Sequence, residues 1–147
     1  MTTSRTDTAL TPEDHEDIRQ LLARYNLAID LGRSDDWVDC FTPDGVFECI
    51  GLPEDSLLGG RHEGPEALRA YADGHYGLHR GRARHWNWNL LIEGAGDRAT
   101  MTSYLNAYSA GQGDDAVLRA TGIYRDELIR VDGRWRFASR QVTIDGG

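Results

Sequence analysis

Chemistry in this chain centres on one histidine and one aspartate. His85 opens the stretch His85-Trp86-Asn87-Trp88-Asn89-Leu90-Leu91-Ile92. Strand alternation puts Trp86, Trp88, Leu90 and Ile92 on one face and His85, Asn87 and Asn89 on the other. Two readings of that polar face stay open. It is the wet side of an ordinary antiparallel strand, or it lines a pocket enclosed by a strongly curved sheet. In the second case His85 could serve as a general base, because an ordinary imidazole titrates near ~6.5.

A base needs an orienting partner, and Asp30 is the candidate. It lies near the end of a predicted helix, between Ile29 and Leu31. A helix C-terminus favours cations, so the dipole does not explain an acid there. The competing reading is a solvated helix-end acid. Tyr25 lies five residues earlier, about 140° around an ideal helix. Both residues flank one pocket only if the chain bends near Asp30. Otherwise Tyr25 packs on the apolar stripe.

Weaker signals point elsewhere. His75 and His79 have the i, i+4 spacing of metal ligands on a continuous helix. Gly77 between them is expected to end that helix, so no metal site is expected. Arg80, Arg82 and Arg84 alternate, either as a solvated strand edge or as a lure for an anionic substrate group. Gly59-Gly60 lacks the strand–turn–helix setting of a phosphate loop. There is no Gly-x-Ser-x-Gly element. Cys40 and Cys49 are too few for a disulfide framework, lack metal-ligand spacing, and read as reduced thiols of a cytoplasmic protein.

The elements that must position these groups follow from capping and periodicity. Thr11-Pro12-Glu13-Asp14 carries a cap, a first-turn proline and two acids. Ile18, Leu21, Leu22, Tyr25, Ala28 and Ile29 then recur at helical spacing, and Gly32 ends the helix. Ser34 is expected to cap a short helix over 35–41. Thr42-Pro43-Asp44-Gly45 reads as a turn, 46–50 as a strand, 51–64 as a loop, and 65–76 as a third helix opened by Pro65. Segments 84–92, 99–108, 117–130 and 135–144 are rich in aromatic and β-branched residues and read as strands. Asp132-Gly133 is a two-residue hairpin signal. Helices first and an antiparallel meander afterwards make an α+β fold: N-terminal helices packed on a strongly curved antiparallel sheet.

The chain has 147 residues, enough for one domain with one core. Four Trp, six Tyr and three Phe supply that core and exclude a disordered chain. Residues 1–10 are expected to form a frayed leader and 11–147 a single domain. A net charge of −8 repels phosphates and anionic lipid, so neither nucleic acid nor membrane is an expected partner. No segment has a signal core or a bilayer-spanning apolar run.

The ordered set of residues also resembles a known family. Leu22-Ala23-Arg24-Tyr25-Asn26-Leu27-Ala28-Ile29-Asp30, then Trp37 and Phe41-Thr42-Pro43-Asp44-Gly45-Val46-Phe47, then Gly64-Pro65-Glu66-Ala67-Leu68 begin the pattern. His85-x-x-x-Asn89, Gly122-Ile123-Tyr124-Arg125-Asp126-Glu127-Leu128 and Asp132-Gly133-Arg134-Trp135-Arg136-Phe137 complete it. In order and spacing the chain resembles the SnoaL-like branch of the nuclear-transport-factor-like superfamily. That resemblance implies a cone-shaped α+β barrel with an internal pocket. It implies that Asp30 and His85 correspond to the Asp–His dyad of the dehydratase and dehydrochlorinase members, among them scytalone dehydratase, hexachlorocyclohexane dehydrochlorinase and a bile-acid dehydratase. Tyr25 is placed like a pocket tyrosine of the bile-acid enzyme, and Arg140 like the pocket arginine of the dehydrochlorinase. The chain departs from the pattern in Ser103-Tyr104-Leu105-Asn106-Ala107-Tyr108, which lacks the bile-acid enzyme's further pocket aspartate; either that role is absent or Asn106 or Tyr108 substitutes. No second acid is evident for the Asp-Arg-Asp arrangement of limonene epoxide hydrolase relatives, and no ketosteroid isomerase pattern is present.

The expectation is a cofactor-independent lyase or isomerase, dehydratase-like, acting on a small, mostly apolar, cyclic substrate. His85 is the base, Asp30 its orienter and Tyr25 a donor. Asn89, Tyr108, Arg140 and Trp37 are expected to contact substrate. The alternatives are an aldol-type polyketide cyclase and a non-catalytic binding or assembly domain. Relatives form dimers or trimers, so a homo-oligomer is expected.

Overall fold

A computed structural model describes residues 8–146. Most of the expected leader, residues 1–7, lies outside the described residues. Ala9 is already bridged to Ala95.

Helix α1 spans Pro12–Leu31. Its capping box is complete: the Thr11 hydroxyl accepts from the Asp14 amide at 3.0 Å, and the Asp14 carboxylate accepts from the Thr11 amide at 2.9 Å. Asp14 also accepts from the Trp135 indole at 3.1 Å, which ties the start of the helix to the sheet. Gly32 closes α1 in the left-handed region, at φ 76°. A side chain there would collide with the ring of Tyr76.

Helix α2, Ser34–Asp39, is shifted from the expected range. Ser34 lies inside it and bonds Asp73 instead of capping. Phe41 leaves the helix and begins strand β1, Phe41–Ile50. The expected turn at Thr42–Gly45 is therefore a correction. Those residues stay within β1 as an irregularity, since pairing steps from Phe41↔Phe137 directly to Val46↔Ser139. A local bond from the Thr42 hydroxyl to Asp44, at 3.0 Å, satisfies this kink. The expected loop hides a short strand, β2 at Gly60–Glu63, which pairs with β1. Helix α3 runs Gly64–His79, past the stop expected at Gly77. Gly77 faces open space, and a mid-helix glycine costs only about 1 kcal/mol, which the buried face of Leu68, Ala72 and His75 offsets.

Strands β3 (Ala83–Ala95), β4 (Arg98–Gly111), β5 (Asp114–Val131) and β6 (Arg134–Ile144) complete the chain. The Asp132-Gly133 hairpin has both central residues at positive φ, 53° and 77°, as a primed turn requires. The sheet order is β2-β1-β6-β5-β4-β3. It is antiparallel except where β1 lies parallel to β6. The fold is α+β: N-terminal helices pack into a curled, unclosed, mostly antiparallel sheet of six strands. Its core joins Ile18, Leu21 and Leu22 of α1 to Leu68 of α3 and to Met101, Leu128 and Phe137 of the sheet.

Strand β3 departs from simple alternation. Register slips between Trp88 and Leu91, and Asn89 takes a positive φ of 56°. Trp86, Trp88 and Leu91 are all exposed, whereas Ile92 is buried. The expected single apolar face from Trp86 to Ile92 is thus split by a bulge. Tyr124 and Trp135 are buried in the core.

Candidate active site

The inward face of the sheet and helices α1 and α3 enclose a cavity of about 160 Å³. Its wall is mostly apolar, with Ile29, Phe47, Leu105 and Val142 among its lining. Polar groups reach it from several elements, among them Tyr25 from α1, Tyr71, His75 and His79 from α3, His85 from β3, Tyr108 and Ser109 from β4, and Arg119 and Tyr124 from β5. None of the described lining residues is Asp or Glu.

Asp30 and His85 meet at this cavity. One carboxylate oxygen of Asp30 lies 2.5 Å from His85 Nδ1, and the other accepts from the His85 main-chain N–H at 3.0 Å. The Asp30 side chain is 8% exposed and that of His85 16%. With Nδ1 bound to a carboxylate, Nε2 is left as the basic nitrogen. This two-point hold explains the acid at the end of α1, where the dipole disfavours it. Asn26, one turn earlier, donates to Asn87 at 2.8 Å, a second clasp between α1 and β3. No bend is needed to bring Tyr25 in, because α1 runs unbroken to Leu31. The buried arc of α1 is wide enough to include both Tyr25 and Asp30.

Other expected site residues lie elsewhere. Asn89 is exposed at the β3 bulge, because the register slip turns it away from the face of His85. Trp37 is fully buried and does not line the cavity. It packs against Tyr25, Phe41, Phe47 and Tyr71, with ring centroids 4.9–5.8 Å away, and so backs the wall without forming it. Arg140 is also fully buried and outside the lining. Its Nε donates to Asp126 at 3.0 Å, and its guanidinium lies between the rings of Tyr25 and Tyr124. Tyr108 borders the cavity, but its ring packs on Trp86 at 4.7 Å. Asn106 pairs across from Trp86 on the outer face. Arg82 pairs with Asp114 at 3.8 Å, and Arg84 donates to the Gly81 carbonyl at 2.7 Å; neither lines the cavity.

Sequence reasoning did not single out Tyr124, Asp126 or Tyr71 as site residues. Asp126 is in phase with Tyr124 and Leu128 on β5, and an acid in register with two inward apolar positions was the available signal. Burial pushes its carboxyl up to about 6 against the pull of Arg140. Burial likewise pushes the Tyr124 phenol up to about 12 and raises Tyr25 and Tyr71. All three phenols are hydrogen-bond donors at neutral pH. The thiols of Cys40 and Cys49 are free and buried, and burial pushes them up to about 12 and about 11, which disfavours the nucleophilic thiolate.

His75 and His79 do share one continuous helix, with their rings stacked at 4.3 Å. Among the described residues no group of three or more His, Cys, Asp or Glu is arranged to hold a metal. Burial, reinforced by the His85 and His79 imidazoles, pulls His75 down to about 3. The folded protein therefore keeps His75 neutral, whereas the unfolded chain protonates it near 6.5. Stability from this difference is whole above about 6.5 and drains away as pH falls toward about 3. His75→Phe is expected to flatten that decline by on the order of 4 kcal/mol at its acid end. Urea unfolding of both proteins across this range checks it, and parallel curves would refute it.

Solved structures share this architecture. A protein of unknown function from Mycobacterium tuberculosis, solved as an aspartate-to-asparagine variant, is 36% identical, with a TM-score of 0.79 over 92% of this chain and 78% of that one. A Nostoc punctiforme protein of unknown function with a cystatin-like fold is 26% identical, with a TM-score of 0.77 over 94% and 96%. Aln2 from a Streptomyces strain is 25% identical, with a TM-score of 0.79 over 92% and 94%. No curated protein is a significant sequence match. Residues 11–141 match the SnoaL-like domain, and with the fold and cavity above this makes the chain a member of the SnoaL-like domain family.

Proposed function

We propose that this protein is a cofactor-independent lyase or isomerase of the dehydratase type, acting on a small, largely apolar, cyclic substrate. The observation that carries the reading is the two-point hold of Asp30 on His85 at the wall of an apolar cavity. His85 Nε2 takes a proton from a carbon next to a carbonyl, and the C–H electron pair moves into an enolate. Asp30 fixes the tautomer and stabilises the imidazolium as it forms. The enolate then expels a β-hydroxyl, which takes the proton from the imidazolium and leaves as water. Isomerisation needs the same first step, followed by return of the proton to a different carbon.

The mostly apolar wall supports a small, largely apolar substrate. Purified protein assayed against cyclic β-hydroxy ketones tests this, with products resolved by mass spectrometry. Loss of water, or a mass-neutral double-bond shift, is the expected outcome. A new carbon–carbon bond would assign the chain to aldol cyclisation, and binding without turnover would make it a binding domain.

We also propose that the chain self-associates as a dimer or trimer through the outer face of β3 and β4. Trp86, Trp88, Leu91 and Tyr104 are each about half exposed there, and Trp88 pairs directly with Tyr104. So many adjacent aromatics form a patch of the kind that marks an interface. Sedimentation of wild type is expected to give a dimer or trimer, and a Trp86→Ser/Trp88→Ser variant a monomer. A wild-type monomer at micromolar concentration would overturn this.

A further inference from the structure

The structure puts a cation where the cavity has its tyrosines. The Arg140 guanidinium carbon lies 3.7 Å from the Tyr124 ring centroid and 4.3 Å from that of Tyr25. Its third aromatic neighbour is Phe137, at 4.9 Å. Arg140 and Asp126 both have fully buried side chains. Their one hydrogen bond leaves Arg140 Nη1 and Nη2, and one Asp126 oxygen, without a partner among the described residues. A buried cation with so few bonds is a costly feature for stability alone. Both tyrosines line the same cavity as His85, and neither hydroxyl bonds to any described residue. Burial opposes charge on each phenol, and Arg140 is the group that draws each the other way.

Resting on the reading above, we propose that Tyr124 is a further catalytic residue: with Tyr25 it forms a donor pair for the enolate oxygen made by His85. Arg140, held by Asp126, is the positioning residue that keeps both phenols aimed and polarised. The requirement comes from the reaction itself. Removing a proton from carbon leaves a full charge on oxygen, and Tyr25 and Tyr124 are two phenols of the cavity wall whose rings share one buried cation. Preorganised donors of this sort act where charge develops and need no rearrangement. A cation stacked under both rings adds field without competing for the ligand's space. Arg140 therefore works through the tyrosines and does not contact a leaving group.

The probe is 4-nitrophenol, whose absorbance separates the bound phenolate from the bound phenol. It is not turned over and needs no knowledge of the substrate. Wild type is expected to bind it with the phenolate favoured relative to solution. Tyr124→Phe keeps the ring and its stacking, and is expected to lower the bound phenolate fraction about 10-fold, the scale of one lost hydrogen bond to a charged group. Nitrobenzene, the uncharged control, should bind both proteins equally. The Arg140→Gln/Asp126→Asn pair, which removes both charges together, should produce the same loss with Tyr124 intact, and Arg140→Lys should recover part of it. An unchanged phenolate fraction in Tyr124→Phe, or nitrobenzene binding that falls in parallel, would overturn the proposal. Repeating the titration in His85→Asn separates this idea from the dyad. A Tyr124 effect that persists there supports the donor pair even if no lyase activity is found, and an effect that vanishes there assigns the phenolate to His85 and overturns it.

Discussion

His85→Ala and Asp30→Asn are each expected to lose about 10²–10⁴-fold in turnover while remaining folded. The two changes fail for different reasons. Alanine at 85 removes the imidazole that the proposed mechanism uses to take the carbon-bound proton. Asparagine at 30 keeps the shape but offers one carbonyl oxygen where the carboxylate used two, one on Nδ1 and one on the His85 amide. It also brings an N–H that competes for the wrong tautomer and leaves a forming imidazolium without its counter-charge. Circular dichroism and urea midpoints report the fold; turnover reports the chemistry. Because the two side chains act as a unit, the double variant should lose little more than either single one. Rates within a few-fold of wild type in both single variants would remove the mechanism.

Trp37→Ala is expected to cost about 3–5 kcal/mol of stability. This is a large share of the ~5–15 kcal/mol that holds a domain of this kind together. Trp37 is fully buried, and its removal would open a void beside Tyr25, Phe41, Phe47 and Tyr71. Trp37→Phe, which keeps most of the ring contacts, should lose much less. Chemical denaturation measures both. The same experiment decides between wall and backing: substrate affinity per folded molecule should hold in Trp37→Phe, whereas a true substrate contact would raise KM with little change in stability.

The contact between Asp30 and His85 was legible because Asp30 broke a rule. An acid at a helix C-terminus, inside an apolar flank, had no local explanation, and His85 offered one. The helix cap at Thr11 and the Asp132-Gly133 turn were legible for the complementary reason that local chemistry alone decides them. What stayed hidden was parity. A single irregularity after Trp88 turned Asn89 outward, and nothing in His85-Trp86-Asn87-Trp88-Asn89 announces it. Inserted residues that shift a strand's faces are chosen by the partner strand, which a linear reading does not see. Gly77 misled in a similar way. Its local cost is real but small beside the buried face that α3 presents at Leu68, Ala72 and His75. Arg140 illustrates a different limit. Only the family resemblance suggested it for the pocket, and its burial against Asp126 and two tyrosines depends on β5, 14 residues away in the chain.

Strand β6 has one more consequence. It is the final strand of the six, yet it lies between β1 and β5 in the middle of the sheet. Until it emerges during synthesis, the β2–β1 hairpin has no neighbour to join and the β3–β4–β5 meander has an open border. The earliest and latest strands must find each other as parallel partners, a distant pairing that closes slowly. A ribosome-bound chain stopped short of Arg134 should therefore expose two half-sheets to chaperones and proteases, and the pocket would come into being only as the last strand slots home.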